Sequence, residues 1–333
     1  MRPIVCALGC LVLGLVLLAS PALADLPDAT TLLGDLGLGA DEIAQVKAGQ
    51  FVTVSMQPAS ERELVAALAF RVDVTPSALM AESKADLLDR VDPGMTSYGV
   101  VSGAASAADF QKLALTPDAA GRAKAYVTAR PGEALNLSKE EIAGFAALDA
   151  SASVASVEQQ VRSALLARMR AYQSQGLAGI APYARSEGER SAADELRTAT
   201  AASANLRKYA PVAYRALADY PRSKPPGSEE SFRWSQFDAH GTPTLALTHV
   251  LLVPDGDAWL VVQRQFYVSA GYNAEQAVAA FLPTQSGTVV VYGNRTSTDQ
   301  ITGFGGGMKR EIGSSLLASQ LRSMFEHARA ATR

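Results

Sequence analysis

Apolar positions repeat with two different periods along the chain, and the period changes at one place. Over residues 104–220 they recur every three or four residues. Val154, Val157, Val161, Leu165, Met169 and Tyr172 form one such stripe, the signature of an amphipathic helix. Ser138-Lys139-Glu140-Glu141 reads as a capping box ahead of Ile142 and Phe145. A further helical stretch over 192–219 is interrupted at Pro211. Residues 221–228, rich in Pro with one Gly, read as a linker. Beyond the linker the period is two. It predicts strands over 232–237, 244–253, 258–269, 277–282 and 288–296, with turns at Asp255-Gly256 and Gln285-Ser286-Gly287. The chain then predicts a helix over 309–331 whose apolar face is Leu317, Leu321, Met324, Phe325 and Ala328.

Ahead of the helical stretch the pattern is mixed. Residues 25–50 are acidic, with a short helical patch over 41–47. A strand is expected over 51–57, burying Val52, Val54 and Met56, and a second over 63–74 despite its alanines. Thr75-Pro76 then opens a helix to about residue 90: Thr75 suits the N-cap and Pro76 the first helical position. Strands and helices segregated in this way predict an α+β fold, a curved antiparallel sheet with a long C-terminal helix and an inserted α-helical block at about 104–220.

The N-terminus assigns a compartment. Arg2, an apolar run over 4–18, Ser20-Pro21 and Ala22-Leu23-Ala24 read as a secretory signal peptide over residues 1–24, so the expected product is periplasmic or secreted. An uncleaved anchor over 4–24 is the rival reading, and lipidation at Cys10 a weaker one. Cys6 and Cys10 are the chain's two cysteines. Cleavage would remove both, and with them disulfides, thiolate catalysis and cysteine-ligated metals. With three histidines besides, no metal site and no cofactor are expected. A net charge of −3 on 333 residues gives no pull toward nucleic acid, and a 48% apolar composition is enough for a packed core.

The motifs on the strands carry a resemblance. Phe232-Arg233-Trp234-Ser235, Leu247-Thr248-His249-Val250, Gln263-Arg264-Gln265-Phe266-Tyr267 and Tyr292-Gly293-Asn294-Arg295-Thr296, followed by the long terminal helix, resemble an exported bacterial branch of the START-like, helix-grip superfamily. The resemblance spans about 51–330, making 51–333 one START-like domain with the helical block inserted. It implies a hydrophobic cavity between sheet and terminal helix, holding a lipid or another apolar or amphiphilic molecule. Two positions depart from it. Arg130-Pro131-Gly132 lies between Ala129 and Ala134, where the pattern has cysteines, and Gly271 precedes Tyr272, where it has a histidine.

Six residues are candidates for polar contacts in such a cavity. His249 shares a strand face with Leu245, Leu247, Leu251 and Val253. It is either a polar anchor or acid/base, or a core histidine satisfied by a neighbour. Arg264 lies between Val262 and Phe266 on one face. It and Arg295 either clamp an anionic head group or pair with Asp299, Glu311 or Asp238. Trp234, Tyr267 and Tyr292 supply aromatic rings with polar tips, equally at home in a strand core. No catalytic residue is assigned, because neither a metalloprotease helix motif nor a hydrolase nucleophile elbow occurs. The expected function is ligand binding. An enzyme of cyclase-like type using His249 as acid/base, and a non-catalytic envelope scaffold, are the alternatives.

Overall fold

A computed structural model describes residues 26–85, 91–101, 103–149, 151–239, 241–303 and 305–331. The expected signal peptide, both cysteines, His240 and the end of the helix expected to run to residue 90 lie outside these residues.

The fold is α+β, built on one eight-stranded antiparallel sheet. Chain order runs α1 (Ala29–Asp35), α2 (Ala40–Lys47), β1 (Val52–Thr53), β2 (Glu63–Val72), α3 (Pro76–Lys84) and β3 (Met95–Val101). The helical block follows: α4 (Ala119–Val127), α5 (Lys139–Ala146), α6 (Val154–Gln175), a short hairpin β4 (Tyr183–Ala184) and β5 (Glu189–Arg190), α7 (Ala192–Ala201), α8 (Ala204–Tyr209) and α9 (Pro211–Asp219). A meander closes the chain: β6 (Glu229–Ala239), β7 (Thr242–Asp255), β8 (Ala258–Val268), β9 (Ala274–Thr284) and β10 (Gly287–Ser297), then α10 (Gly306–Ala331). Across the sheet the order is β1-β2-β10-β9-β8-β7-β6-β3, so β2 and β3, from the first third of the chain, flank the meander.

Local signals act as expected where they are strongest. Ser138 accepts a hydrogen bond from the Glu141 amide, and the Glu141 carboxylate accepts one from the Ser138 amide, forming the capping box of α5. Thr75 caps α3 through the Ala78 amide, with Pro76 at its first position. Val157, Val161, Leu165, Met169 and Tyr172 are the buried face of α6. Several expectations are corrected. β3 sits where no strand was expected, because Thr96-Ser97-Tyr98-Gly99 breaks apolar alternation. Its pairing with β6 supplies the missing order. The strand expected over 51–57 keeps regular pairing at Val52–Thr53 alone. The strand expected over 63–74 forms as expected at Glu63–Val72, its alanines held by full pairing to β10. α1 forms ahead of the expected N-terminal helix, capped by the Asp28 carboxylate.

The sheet has two covered faces. On one, α10 lies along β2 and buries Leu321, Phe325 and Ala328 against Leu68, Phe70, Phe281, Val290 and Tyr292. Gly313 sits so close to Leu64 that an added Cβ would come 2.7 Å from Leu64 Cδ2. The neighbouring Ser314 hydroxyl accepts a hydrogen bond from the Val65 amide (3.2 Å), satisfying a backbone donor that the short β1 leaves open. The other face carries the helical block and α1–α2, over two apolar clusters. One gathers Phe110, Phe145, Leu165, Met169, Trp234, Leu245, Leu247 and Phe266. The second gathers Leu33, Val46, Leu217, Leu251, Val253, Leu260, Val262 and Val289. Gly99 of β3 is required by the first cluster: a Cβ there would stand 2.4 Å from Trp234 Nε1. Among the described residues no helix is long and apolar enough to cross a membrane.

Candidate functional site

Antiparallel register aligns polar residues of successive strands into two adjacent rungs, one on each face. On the block face Phe232 pairs with His249, His249 with Arg264, Arg264 with Gln276 and Gln276 with Arg295. One residue along, on the α10 face, Val100 pairs with Arg233, Arg233 with Thr248, Thr248 with Gln265, Gln265 with Glu275 and Glu275 with Thr296. Partners directly opposite in an antiparallel pair point the same way, so each rung is one continuous band.

The block-face rung is sealed. His249 is 3% exposed, Arg264 0% and Gln276 2%. His249 Nδ1 lies 3.0 Å from the Tyr172 hydroxyl, and Nε2 is 3.0 Å from Glu230 Oε1. Burial lowers the His249 pKa against the opposing pull of Glu230, and the His249 contact is the main cause holding the Glu230 carboxyl below its usual value. The Tyr172 ring is stacked on Phe266 at 4.0 Å and on Tyr220 at 5.0 Å. Arg264 donates to Gln276 Oε1 (2.9 Å), Thr200 Oγ1 (2.9 Å), the Leu217 carbonyl (3.0 Å) and the Tyr172 hydroxyl (3.4 Å). Its hydrogen-bond acceptors are neutral groups. The Leu217 carbonyl belongs to the last turn of α9, where unpaired carbonyls present the negative end of the helix dipole. Arg295 pairs with Glu63 at 2.7 Å. Asp299, expected as a partner for these arginines, is instead held by Arg62, Arg185 and Arg190. Arg185 also reaches Asn136, Asn273 and the Gly132 carbonyl, fastening the block to the end of the sheet.

The six expected contact residues therefore do not share one chamber. Trp234, His249, Arg264, Tyr267 and Arg295 face away from α10. Trp234 donates to the Asp109 carbonyl (2.8 Å), and Tyr267 lies under the Arg168 guanidinium at 4.3 Å. Tyr267 joins this face because a bulge between Leu247 and Thr248 shifts the register of β8, leaving Phe266 as the extra residue. Tyr292 is the one candidate on the α10 face, its ring 4.9 Å from Phe325. The reason is the period-two rule: it groups residues by face correctly, but which face the terminal helix takes is decided by packing.

The α10-face rung is open. Arg233, Gln263, Gln265 and Glu275 sit on inner strands of the sheet yet remain partly water-exposed, although Thr248 and the apolar residues among them are buried and α3 packs on β8 and β9 of the same face. Apolar residues bound the band: Val250, Val261, Ala277, Ala279, Phe281 and Val290. Glu275 is closely surrounded by protein while still partly reached by water. Desolvation raises its pKa, against hydrogen bonds from Asn294 and Thr296. The Tyr272 hydroxyl donates to Gln265 Oε1, and Asn294 donates to the Tyr292 hydroxyl (3.3 Å). Glu275 and Gln276 escape a reading of the chain because the strand expected to begin at 277 begins at Ala274. Once that start is known, an acidic residue among alanines on an inner strand is the signal.

Among the described residues no group of His, Cys, Asp and Glu is arranged to hold a metal ion. Comparison with known protein families, curated proteins and solved structures gives no match to this chain.

Proposed function

We propose that the protein binds an apolar or amphiphilic molecule in the groove between the open sheet face and α10, as a START-like helix-grip protein would, after export from the cytoplasm. The observation that carries this reading is the partly water-exposed polar group of Gln263, Gln265 and Glu275 on an otherwise apolar face. A polar band on inner strands is costly unless its groups find partners. An amphiphile supplies both an apolar body for the flanking residues and a polar end for the band. The sealed rung behind the sheet serves as the rigid support of that wall. His249 is 3% exposed, with Nδ1 against the Tyr172 hydroxyl and Nε2 3.0 Å from Glu230 Oε1, so binding is favoured over acid/base catalysis at that residue. The signal peptide read from the sequence supports the exported location.

Gln263→Trp tests the groove. Gln263 is partly exposed in the middle of β8, on the α10 face. The variant should keep its fold by circular dichroism and bind the neutral apolar dye N-phenyl-1-naphthylamine about tenfold more weakly, a change of about 1.4 kcal/mol. Unchanged dye affinity would refute the groove.

A further inference from the structure

The sheet has two edges, and the fold treats them differently. At one edge β1 pairs regularly at Val52 and Thr53 alone, and the Ser314 hydroxyl of α10 takes up the Val65 amide left open there. At the other edge stands β3, paired with β6 on its inner side. Among the described residues no strand lies on the outer side of β3, and no backbone–backbone hydrogen bond joins Thr96 to Val100 to anything but β6. Open edges are ordinarily blunted by charged side chains or proline, because their free amides and carbonyls invite another strand. The sequence of β3, Met95-Thr96-Ser97-Tyr98-Gly99-Val100-Val101, holds neither. Val100 is 42% exposed, and among the described residues it is the exposed large apolar side chain that lies outside α10.

We infer that the β3 edge is an interface between two copies of this chain, paired antiparallel about a two-fold axis at Gly99. The register follows from the strand itself. Pairing with β6 is irregular between Met95 and Ser97 and regular from Ser97 to Val101, so the straight part of the edge is centred on Gly99. A two-fold axis there sets Tyr98 of one copy opposite Val100 of the other, and Ser97 opposite Val101. Tyr98 and Val100 lie on the α10 face, across from Ser235 and Arg233 of β6. An aromatic ring against a β-branched side chain is a favourable cross-strand pair, and the symmetry makes it twice. No charge is brought against a like charge, since the paired segment is uncharged. Each open amide and carbonyl of the segment gains a backbone partner, and two eight-stranded sheets become one continuous sheet. A peptide of another sequence would gain the same backbone bonds without the reciprocal match of Tyr98 and Val100, which favours a second copy as the occupant.

Sedimentation velocity on the purified chain from about 1 to 200 μM should show a reversible monomer–dimer equilibrium, since so short a pairing belongs with transient interfaces. Amide hydrogen exchange over residues 97–101 should slow as the concentration rises, a readout that needs no variant. Tyr98→Lys and Val100→Glu, both at side chains that reach water, should each weaken the dimer about tenfold with circular dichroism unchanged. Mixing the two variants should restore it, because the register sets the new lysine of one chain opposite the new glutamate of the other. A chain that stays monomeric throughout, exchange over 97–101 that ignores concentration, or a mixture that associates no better than either variant alone would overturn the assignment. So would a dimer that neither variant weakens, which would move the contact to another surface, such as exposed Met308, Ile312 and Leu316 of α10.

Discussion

The two faces of the sheet hold polar rungs of similar length, one residue apart in sequence, with opposite consequences. Behind the sheet, His249, Arg264 and Gln276 are closed in by Tyr172, Thr200 and the end of α9. In front, Arg233, Gln265 and Glu275 keep contact with water. The same strands supply both rungs, so strand chemistry does not make the difference. Coverage does. The inserted block lays helices across the middle strands on one side, whereas on the other side α10 follows β2 and α3 packs on β8 and β9, with Gln263, Gln265 and Glu275 left partly exposed. A sealed polar rung specifies how the block docks, since every group in it needs a particular partner. The front rung keeps part of its polar surface in contact with water.

Substitution at the two rungs should therefore differ most in stability. Arg264→Met would strip donors from Gln276 Oε1, Thr200, Tyr172 and the Leu217 carbonyl at once. It should cost about 3–5 kcal/mol in urea unfolding, whereas Gln263→Met, on the open face of the same strand, should stay within about 0.5 kcal/mol. Equal costs would mean that the block does not depend on the sealed rung.

The faces should also respond oppositely to pH. Burial lowers the His249 pKa, so the unfolded chain takes up a proton below about pH 6.5 that the fold refuses, and stability falls as pH drops from there. The Glu230 pKa is lowered too, so its stabilisation is present above its ordinary value and is lost as pH falls through the folded value. His249→Gln should flatten this acid-side loss by a few degrees of Tm between about pH 6.5 and 5. Glu275 has the reverse sign. Its raised pKa means the fold prefers the protonated carboxyl, and stability declines as pH rises from the ordinary value through the folded one. Glu275→Gln should thus raise Tm slightly at about pH 8 and leave it nearly unchanged at about pH 4. A stabilisation larger at acid pH would contradict the desolvated setting of Glu275.

Much of the scaffold is legible in the chain. The meander from β6 to β10 follows from period-two alternation and two turn signals, and the faces of α6 and α10 from helical spacing. Single residues also declare themselves: Ser138 with Glu141, and Thr75 with Pro76, form the caps their types predict. The site is far less legible. Tyr172 reads as one more apolar position of a helical stripe, yet its hydroxyl joins the sealed rung 77 residues away from His249. Glu230 falls outside its expected strand, as do Glu275 and Gln276. Strand ends are set by cross-strand partners, and those partners are distant in sequence.

The chain by itself determined the α+β class, the grouping of His249 with Leu247 and Leu251, and the apolar face of the last helix. These follow from local periodicity, which the backbone geometry of strand and helix imposes on any sequence. The tertiary structure alone decided which side of the sheet received α10, which side the inserted block sealed, and that Arg264 would be satisfied by a helix end and neutral groups. Those outcomes depend on long-range packing between segments whose apolar patterns are individually compatible with either face.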